Sequence, residues 1–213
     1  QRFITEKVLK TNFDLGFLGV RLDVVDELSS SFVEAIRKSV KSINENAVII
    51  GEVWEDATNK IAYGSRREYF LGNQLDSVMN YPLRNGIINF LLTRSVDFIY
   101  QTIINQINNY PSCALNLLMN CLSTHDSPRI ISVLGSEKLE QNKDLMAFER
   151  LTDAEYEKGV KLGKIAYALA FTLYGVPSVY YGDEAGVWGN LDPYNRKPYP
   201  WGKENLEMVS YLK

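Results

Sequence analysis

Val48-Ile49-Ile50-Gly51-Glu52-Val53-Trp54 opens on a continuous apolar run, too short for a helix, that ends on an ionisable group. Such a run reads as a strand buried on both faces. Upstream, Ser29, Ser30 or Ser31 can cap a helix reaching about Asn44, with Phe32, Ile36, Val40 and Ile43 on one face. Before that helix, Gly19-Val20-Arg21-Leu22-Asp23 is a second short run with a carboxylate at its end. Residues 3–12 read as the end of an amphipathic helix that closes at Leu15-Gly16. The alternation continues downstream. A strand near 75–79 precedes helices near 81–93 and 95–109, and a strand near 114–120 precedes a helical Pro128 to Leu134. A helix near 153–173 then precedes a strand at 177–181.

Strands that alternate with helices imply right-handed βαβ units and a parallel sheet, an α/β fold. Five strands are expected, ending near Asp23, Glu52, Asn80, Leu122 and Tyr181. A carboxylate also follows the fourth, in Leu122-Ser123-Thr124-His125-Asp126. An ionisable group that ends a strand and precedes loop or helix lies at the rim of an α/β sheet or barrel, where active sites are built. Asp23, Glu52 and Asp126 on one rim therefore suggest acid and nucleophile chemistry on a polar substrate. An open parallel sheet would leave the strands near 18–22 and 177–181 as apolar edges, open to pairing with another copy.

The 213 residues are 46% hydrophobic and 23% charged, ordinary globular material with enough apolar content for one sizeable core. A net charge of -3 with no Lys/Arg block gives no electrostatic footprint for nucleic acid, and a neutral polymer fits that balance. No run of about 18 apolar residues marks a membrane-spanning helix, and no basic-then-apolar start marks a signal peptide. The chain opens on Gln1 rather than Met, leaving room for residues upstream. Cys113 and Cys121 flank the expected strand, and at about 3.3 Å per residue their Cα atoms would lie roughly 26 Å apart. A disulfide needs about 7 Å or less. Read this way both are free thiols, which favours a reducing, cytoplasmic compartment. The alternative is a secreted protein that keeps two buried cysteines as small apolar residues.

These segments resemble the α-amylase family of retaining glycoside hydrolases, which act on α-linked glucans. The resemblance is carried by the Gly-x-Arg-x-Asp segment ending at Asp23, the Gly-Glu-x-Trp segment at Glu52 and Trp54, and the His125-Asp126 pair, in that order. Asp76-Ser77-Val78-Met79-Asn80-Tyr81-Pro82 and Gly182-Asp183-Glu184 extend it. The tail Asp192-Pro193-Tyr194-Asn195-Arg196-Lys197-Pro198-Tyr199-Pro200-Trp201 is similar to the cyclomaltodextrinase, neopullulanase and amylopullulanase branch. The family's fold is a TIM (β/α)8 barrel, so the resemblance makes residues 1–213 strands four to eight with their helices, a partial barrel. On this reading the first three strands, the small domain inserted after the third and the C-terminal β-sandwich are absent, and the chain is a fragment. The family's first motif, an Asp followed by a His near the end of strand three, is not present either, so the isolated piece is expected to be inactive.

The resemblance also implies roles. Retaining enzymes cleave an acetal with two carboxyl groups about 5–5.5 Å apart, and Asp23 and Glu52 end consecutive strands, whose spacing of about 4.8 Å suits that distance. Asp23 takes the family's nucleophile position and Glu52 its acid/base position. Arg21 lies on the same face as Asp23 by the period of two, where it can hold the carboxylate ionised. Standing alone, Arg21 and Asp23 read as a structural ion pair, and a lone strand-terminal Glu reads as a helix cap. Asp126 corresponds to the third carboxylate, which holds sugar hydroxyls, and His125 would donate a hydrogen bond to the same sugar. Without the family, His125-Asp126 is an ordinary loop pair. One His with no Cys cluster makes a metal site a poor reading.

Trp54 is either an aglycone-stacking platform or a core residue. Asp192 and Arg196 either bind a glucose on the non-reducing side or form a salt bridge that shapes their loop. Asp26-Glu27 and Asp183-Glu184 are given no catalytic role. No cofactor is required; the family admits calcium in the parent enzyme, and no site for it is identified in this chain. The partner is an α-glucan or maltooligosaccharide. The reading is thus an α-glucan hydrolase cutting α-1,4 and α-1,6 links, with two rivals. One is a glucanotransferase using the same residues; the other is a noncatalytic half-barrel that binds sugar or a partner.

Overall fold

The computed structural model describes residues 1–213. Its strands follow the expected alternation. β1 (Gly19–Leu22) pairs in parallel with β2 (Val48–Gly51), from Gly19 opposite Val48 to Leu22 opposite Gly51. Two further strands form a hairpin, β3 (Ile61–Ala62) and β4 (Ser65–Arg66). β5 (Ser77–Val78) then pairs in parallel with β2. Met79 makes a parallel bridge to Met119, the first residue of β6 (Met119–Cys121), and β6 neighbours β7 (Val176–Ser178). The strand succession is that of part of a (β/α)8 barrel, as the sequence led us to expect.

The helices are α1 (Leu9–Asp14), which continues a π-helical turn at Ile4–Val8, α2 (Ser30–Ile43), α3 (Tyr81–Thr93), α4 (Asp97–Asn109) and the short α5 (Ser112–Leu115). They continue with α6 (Ile130–Gly135), α7 (Lys143–Met146), α8 (Asp153–Thr172) and α9 (Leu206–Leu212). Local signals start the two best-defined helices. Ser29 caps α2 by accepting from the Phe32 N–H at 3.3 Å. Thr152 and Glu155 form a reciprocal capping box on α8. None of the helices is long and apolar enough to cross a membrane.

Backbone contacts divide the chain into two units, 1–82 with 102–119 and 174–176, and 83–101 with 120–173 and 177–213. The first unit has a core of Val33, Ile36 and Val40 from α2, Ile49 from β2, Val78 from β5, and Leu75, Tyr110 and Leu118. In the second, Leu122, Ile130, Ile131, Leu134, Ala166, Tyr167 and Met208 are buried.

Four details depart from the sequence reading. Val33 takes the buried place in α2 that Phe32 and Ile43 were expected to share, and Ile43 is exposed. In β2 only Ile49 and Gly51 are fully buried, while Val48 and Ile50 are half-buried, so the strand is not sealed on both faces. The run 114–120 is not one strand. Its start belongs to α5 and β6 begins only at Met119, so the separation argued for the cysteines does not hold, although both are free thiols, Cys113 exposed and Cys121 buried. Finally, the hairpin β3–β4 was not anticipated. Its signal is Tyr63-Gly64, both at positive φ (53° and 73°), the backbone of a tight two-residue turn.

Asp76 ties the first unit together. Its carboxylate accepts from the Ile49 N–H at 2.9 Å and pairs with Arg37 at 2.8 Å and Lys41 at 3.0 Å, joining β2, α2 and the entry to β5. Burial opposes its charge, yet Arg37, Lys41 and the Ile49 N–H outweigh burial and hold the carboxyl below the usual carboxylate range. A lowered folded-state pKa contributes stability above the ordinary value near 4 that is lost as pH falls through the lowered one. Asp76→Asn should therefore cost about 1.5–3 kcal/mol at pH 7, the worth of hydrogen bonds to a charged group. Urea unfolding from pH 7 to pH 3 should show wild type and variant converging in acid; a constant gap across that range would contradict the account.

Candidate active site

The first unit gathers four of the residues singled out above. Arg21 points from β1 with its guanidinium between two carboxylates: Nη1 lies 2.5 Å from Asp23 and Nη2 lies 2.9 Å from Glu52. Its Nε faces the Met79 sulfur at 3.4 Å. One planar fork therefore holds both acids at the ends of adjacent parallel strands. Their surroundings differ sharply: the Asp23 side chain is 69% exposed and that of Glu52 only 2%.

The turn after Asp23 is strained. Val24 sits at φ 41°, ψ 54°, a left-handed conformation unusual for a β-branched residue. Its N–H donates to Glu52 Oε2 at 2.9 Å, so the buried acid helps hold the turn that carries the exposed one. Oε2 of Glu52 thus accepts from both the Val24 N–H and Arg21. Gly51 leaves little room beneath this pair, since an added Cβ would lie 2.5 Å from a Leu75 methyl and 2.9 Å from a Val25 methyl and would push those side chains aside.

The sequence reading missed Tyr81. Its side chain is fully buried, its hydroxyl lies 3.5 Å from Glu52 Oε1, and its ring stacks on Trp54 at 3.9 Å and 12°. Trp54 keeps 43% of its surface exposed, so one ring face packs while the residue still reaches solvent. The sequence signals for Tyr81 were its place just after β5 and in the 76–82 segment that extends the family resemblance.

Asp26 and Glu27 order a loop. Asp26 accepts from the Tyr69 hydroxyl at 2.5 Å and pairs with Lys60 at 3.1 Å, and Tyr63 at the hairpin tip donates to Glu27. The β3–β4 hairpin is thereby pinned to the turn that follows Asp23.

The second unit gathers the other four. His125 Nε2 lies 2.9 Å from Asp126 Oδ2, and Arg196 reaches Asp126 Oδ1 at 3.4 Å and Asp192 at 3.0 Å. Arg196 Nε also donates to the His125 carbonyl at 3.1 Å. The loop salt bridge proposed for Asp192 and Arg196 exists, and it engages Asp126 as well.

Beneath these residues lies a buried cation. Arg129, at 0% exposure, pairs with Asp183 at 2.9 Å and donates to the carbonyls of Tyr181 at 2.5 Å and Asn195 at 2.7 Å. The Tyr180 ring lies 4.1 Å beneath its guanidinium, and the Tyr167 hydroxyl donates to the other Asp183 oxygen at 2.6 Å. Asp183 thus organises the turn after β7. Nearby, the Lys197 ammonium sits over the Trp188 ring, and burial, reinforced by the Arg150 and Arg129 charges, pushes its pKa down to about 8. No group of three or more His, Cys, Asp or Glu side chains converges so as to hold a metal ion.

A family model described as the alpha-amylase catalytic domain matches residues 5–208. The chain belongs to the alpha-amylase family. Among its relatives, an amylopullulanase from Thermoanaerobacter thermohydrosulfuricus is 32% identical over 212 residues, covering 94% of this chain and 13% of the relative. A cyclomaltodextrinase from Geobacillus thermopakistaniensis is 29% identical, covering 94% of this chain and 29% of that protein. Among solved structures, the cyclic alpha-maltosyl-(1→6)-maltose hydrolase from Arthrobacter globiformis in complex with maltose superposes with a TM-score of 0.77 at 25% identity, over 96% of this chain and 41% of the other. A debranching enzyme from Nostoc punctiforme gives 0.75 at 26% identity, over 99% and 41%. This alpha-amylase family chain therefore spans well under half the length of the proteins it matches.

Proposed function

We propose that the protein carrying this chain is a retaining α-glucan hydrolase that cuts α-1,4 and α-1,6 glucosidic bonds in maltodextrins and related glucans. The observation that carries the reading is the Arg21 fork, which holds an exposed Asp23 and a buried Glu52 at the ends of adjacent parallel strands. The names of the relatives, amylopullulanase and cyclomaltodextrinase, support the substrate class.

In this mechanism Asp23 attacks the anomeric carbon while Glu52 gives its proton to the departing glycosidic oxygen, leaving a glycosyl ester on Asp23. Glu52, now a base, takes a proton from water, and the water oxygen displaces the ester from the opposite side. Two inversions give net retention. Asp126 and His125 hold hydroxyls of the reacting sugar, Asp192 and Arg196 hold the next glucose, and Trp54 offers its ring to the leaving sugar. Proton NMR of the first product released from a maltooligosaccharide should show the α-anomer; a β-anomer would refute the assignment of Asp23 as nucleophile.

For domain organisation, we propose that residues 1–213 supply strands four to eight of the barrel and that strands one to three, the inserted small domain and the β-sandwich lie outside this stretch. β1 and β7 each have a single strand neighbour, and apolar residues such as Leu18 and Val176 beside or on them are exposed. Expressed alone, the 213-residue chain should self-associate through these edges and show no glucan hydrolysis. A monomer by light scattering with full reducing-sugar release would overturn this organisation.

A further inference from the structure

We infer that Asn195 is a positioning residue: its buried amide gathers the backbone of the His125–Asp126 turn and sets, on one frame, the side chains that the proposed function gives to sugar binding. The frame rests on geometry alone, and its catalytic consequence rests on that functional reading.

Asn195 is fully buried although it lies in the loop between Asp192 and Arg196. Its Nδ2 donates to three backbone carbonyls of a single turn, those of Thr124 at 3.2 Å, His125 at 2.8 Å and Ser127 at 2.9 Å. Two N–H bonds thus serve three acceptors. The opposite amide orientation would set oxygen against three oxygens, so the orientation is decided. With these carbonyls turned inward, the side chains of His125 and Asp126 remain 40% and 36% exposed. Asn195 is itself anchored, because its carbonyl receives the Arg129 Nε–H at 2.7 Å and Arg129 is locked by Asp183.

Two sets of contacts could fix the spacing of Arg196 from Asp126. One is made by the exposed guanidinium itself: its ion pair with Asp126, long at 3.4 Å, and its Nε–H donation to the His125 carbonyl at 3.1 Å; exposed contacts of this kind contribute little. The other is the buried amide one residue before Arg196, with three short bonds into the turn that carries Asp126. Buried polar bonds whose loss strands several carbonyls are the stronger constraint. Asn195 therefore fixes the spacing, and the Arg196–Asp126 pair follows from it.

The test replaces Asn195 by Ser, which keeps one O–H donor, and by Ala, which keeps none. His125 is the only histidine in the chain, so its imidazole resonances in the 213-residue chain report on the turn without requiring activity. They should move progressively from wild type to Asn195→Ser to Asn195→Ala, in proteins that still melt cooperatively. In the complete catalytic domain kcat/KM on maltooligosaccharides should fall by up to about 10²-fold, the effect of a small misplacement. Adding Asn195→Ser to Arg196→Ala should cost clearly less than Asn195→Ser costs alone, because the share that runs through Arg196 is already gone while the share that runs through His125 and Asp126 remains. Unmoved His125 signals in a folded variant, or independent losses in the double variant, overturn the inference. If Asn195→Ala does not fold, Asn195→Ser decides; collapse of both also overturns it, since Asn195 would then hold the fold rather than the turn. A wild-type domain that hydrolyses no glucan sinks the functional reading alone, and the His125 signals still decide the role of Asn195.

Discussion

Asp23→Asn in the complete catalytic domain should lower kcat by about 10⁴-fold or more, because in the proposed mechanism the covalent route disappears with its nucleophile. Glu52→Gln, which removes the proposed proton donor, should lower it by about 10²–10⁴-fold, the usual worth of a general acid. Folding should tolerate both changes. Asp23 is largely exposed and Arg21 keeps Glu52 when Asp23 is neutralised. In Glu52→Gln the side-chain carbonyl can still accept from the Val24 N–H. The two variants separate on substrate choice. A leaving group that needs no proton should rescue the first step of Glu52→Gln and leave Asp23→Asn dead. Equal impairment of Glu52→Gln on activated and unactivated glycosides would show that Glu52 is not the acid.

Arg129→Met should destabilise the protein by about 3–5 kcal/mol, the penalty for removing one partner of a buried ion pair. The magnitude follows from what remains. Asp183, whose pKa burial already raises, would lose its counter-charge at 0% exposure and keep only the Ser123 and Tyr167 hydroxyls beside it, and the carbonyls of Tyr181 and Asn195 would lose their donor. Adding Asp183→Asn should recover part of the loss, since the stranded charge disappears while the Tyr167 hydroxyl keeps an acceptor. Denaturant unfolding of the two single variants and the double variant measures this. A loss below about 1 kcal/mol for Arg129→Met would mean that the pair is solvated in solution.

Much of the architecture was legible because strand and helix periods differ and because the helix starts carry their own chemistry. The serines at 29–31 announced α2, and each short apolar run ending in a carboxylate became a strand with that carboxylate at its rim. Ala114-Leu115-Asn116-Leu117-Leu118 was misread for a physical reason. A short, largely apolar run, broken here only by Asn116, fits a buried strand and a buried helical turn equally well, and its first residues turn helical where the Ala114 and Leu115 N–H groups donate to the Pro111 carbonyl. The hairpin at 61–66 was overlooked although Tyr63-Gly64 marked its turn.

Of the candidate site, residue type, order and spacing along the chain picked out Arg21, Asp23, Glu52, His125 and Asp126, because each lies at the end of a strand or follows one within a few residues, while Asp192 and Arg196, well beyond β7, were picked out by the resemblance of their loop. What those residues touch was decided by tertiary structure. Arg21 grips two carboxylates rather than one because β1 and β2 are in register at Leu22 and Gly51. Tyr81 reaches Glu52 across 29 positions, and Asn195 reaches Thr124 across 71. A hydrogen bond depends on where two backbones converge, and local propensity carries no information about a convergence that only the packed fold creates. Periodicity and end chemistry therefore determined which residues stand at the rim, while packing alone decided which buried groups hold them there.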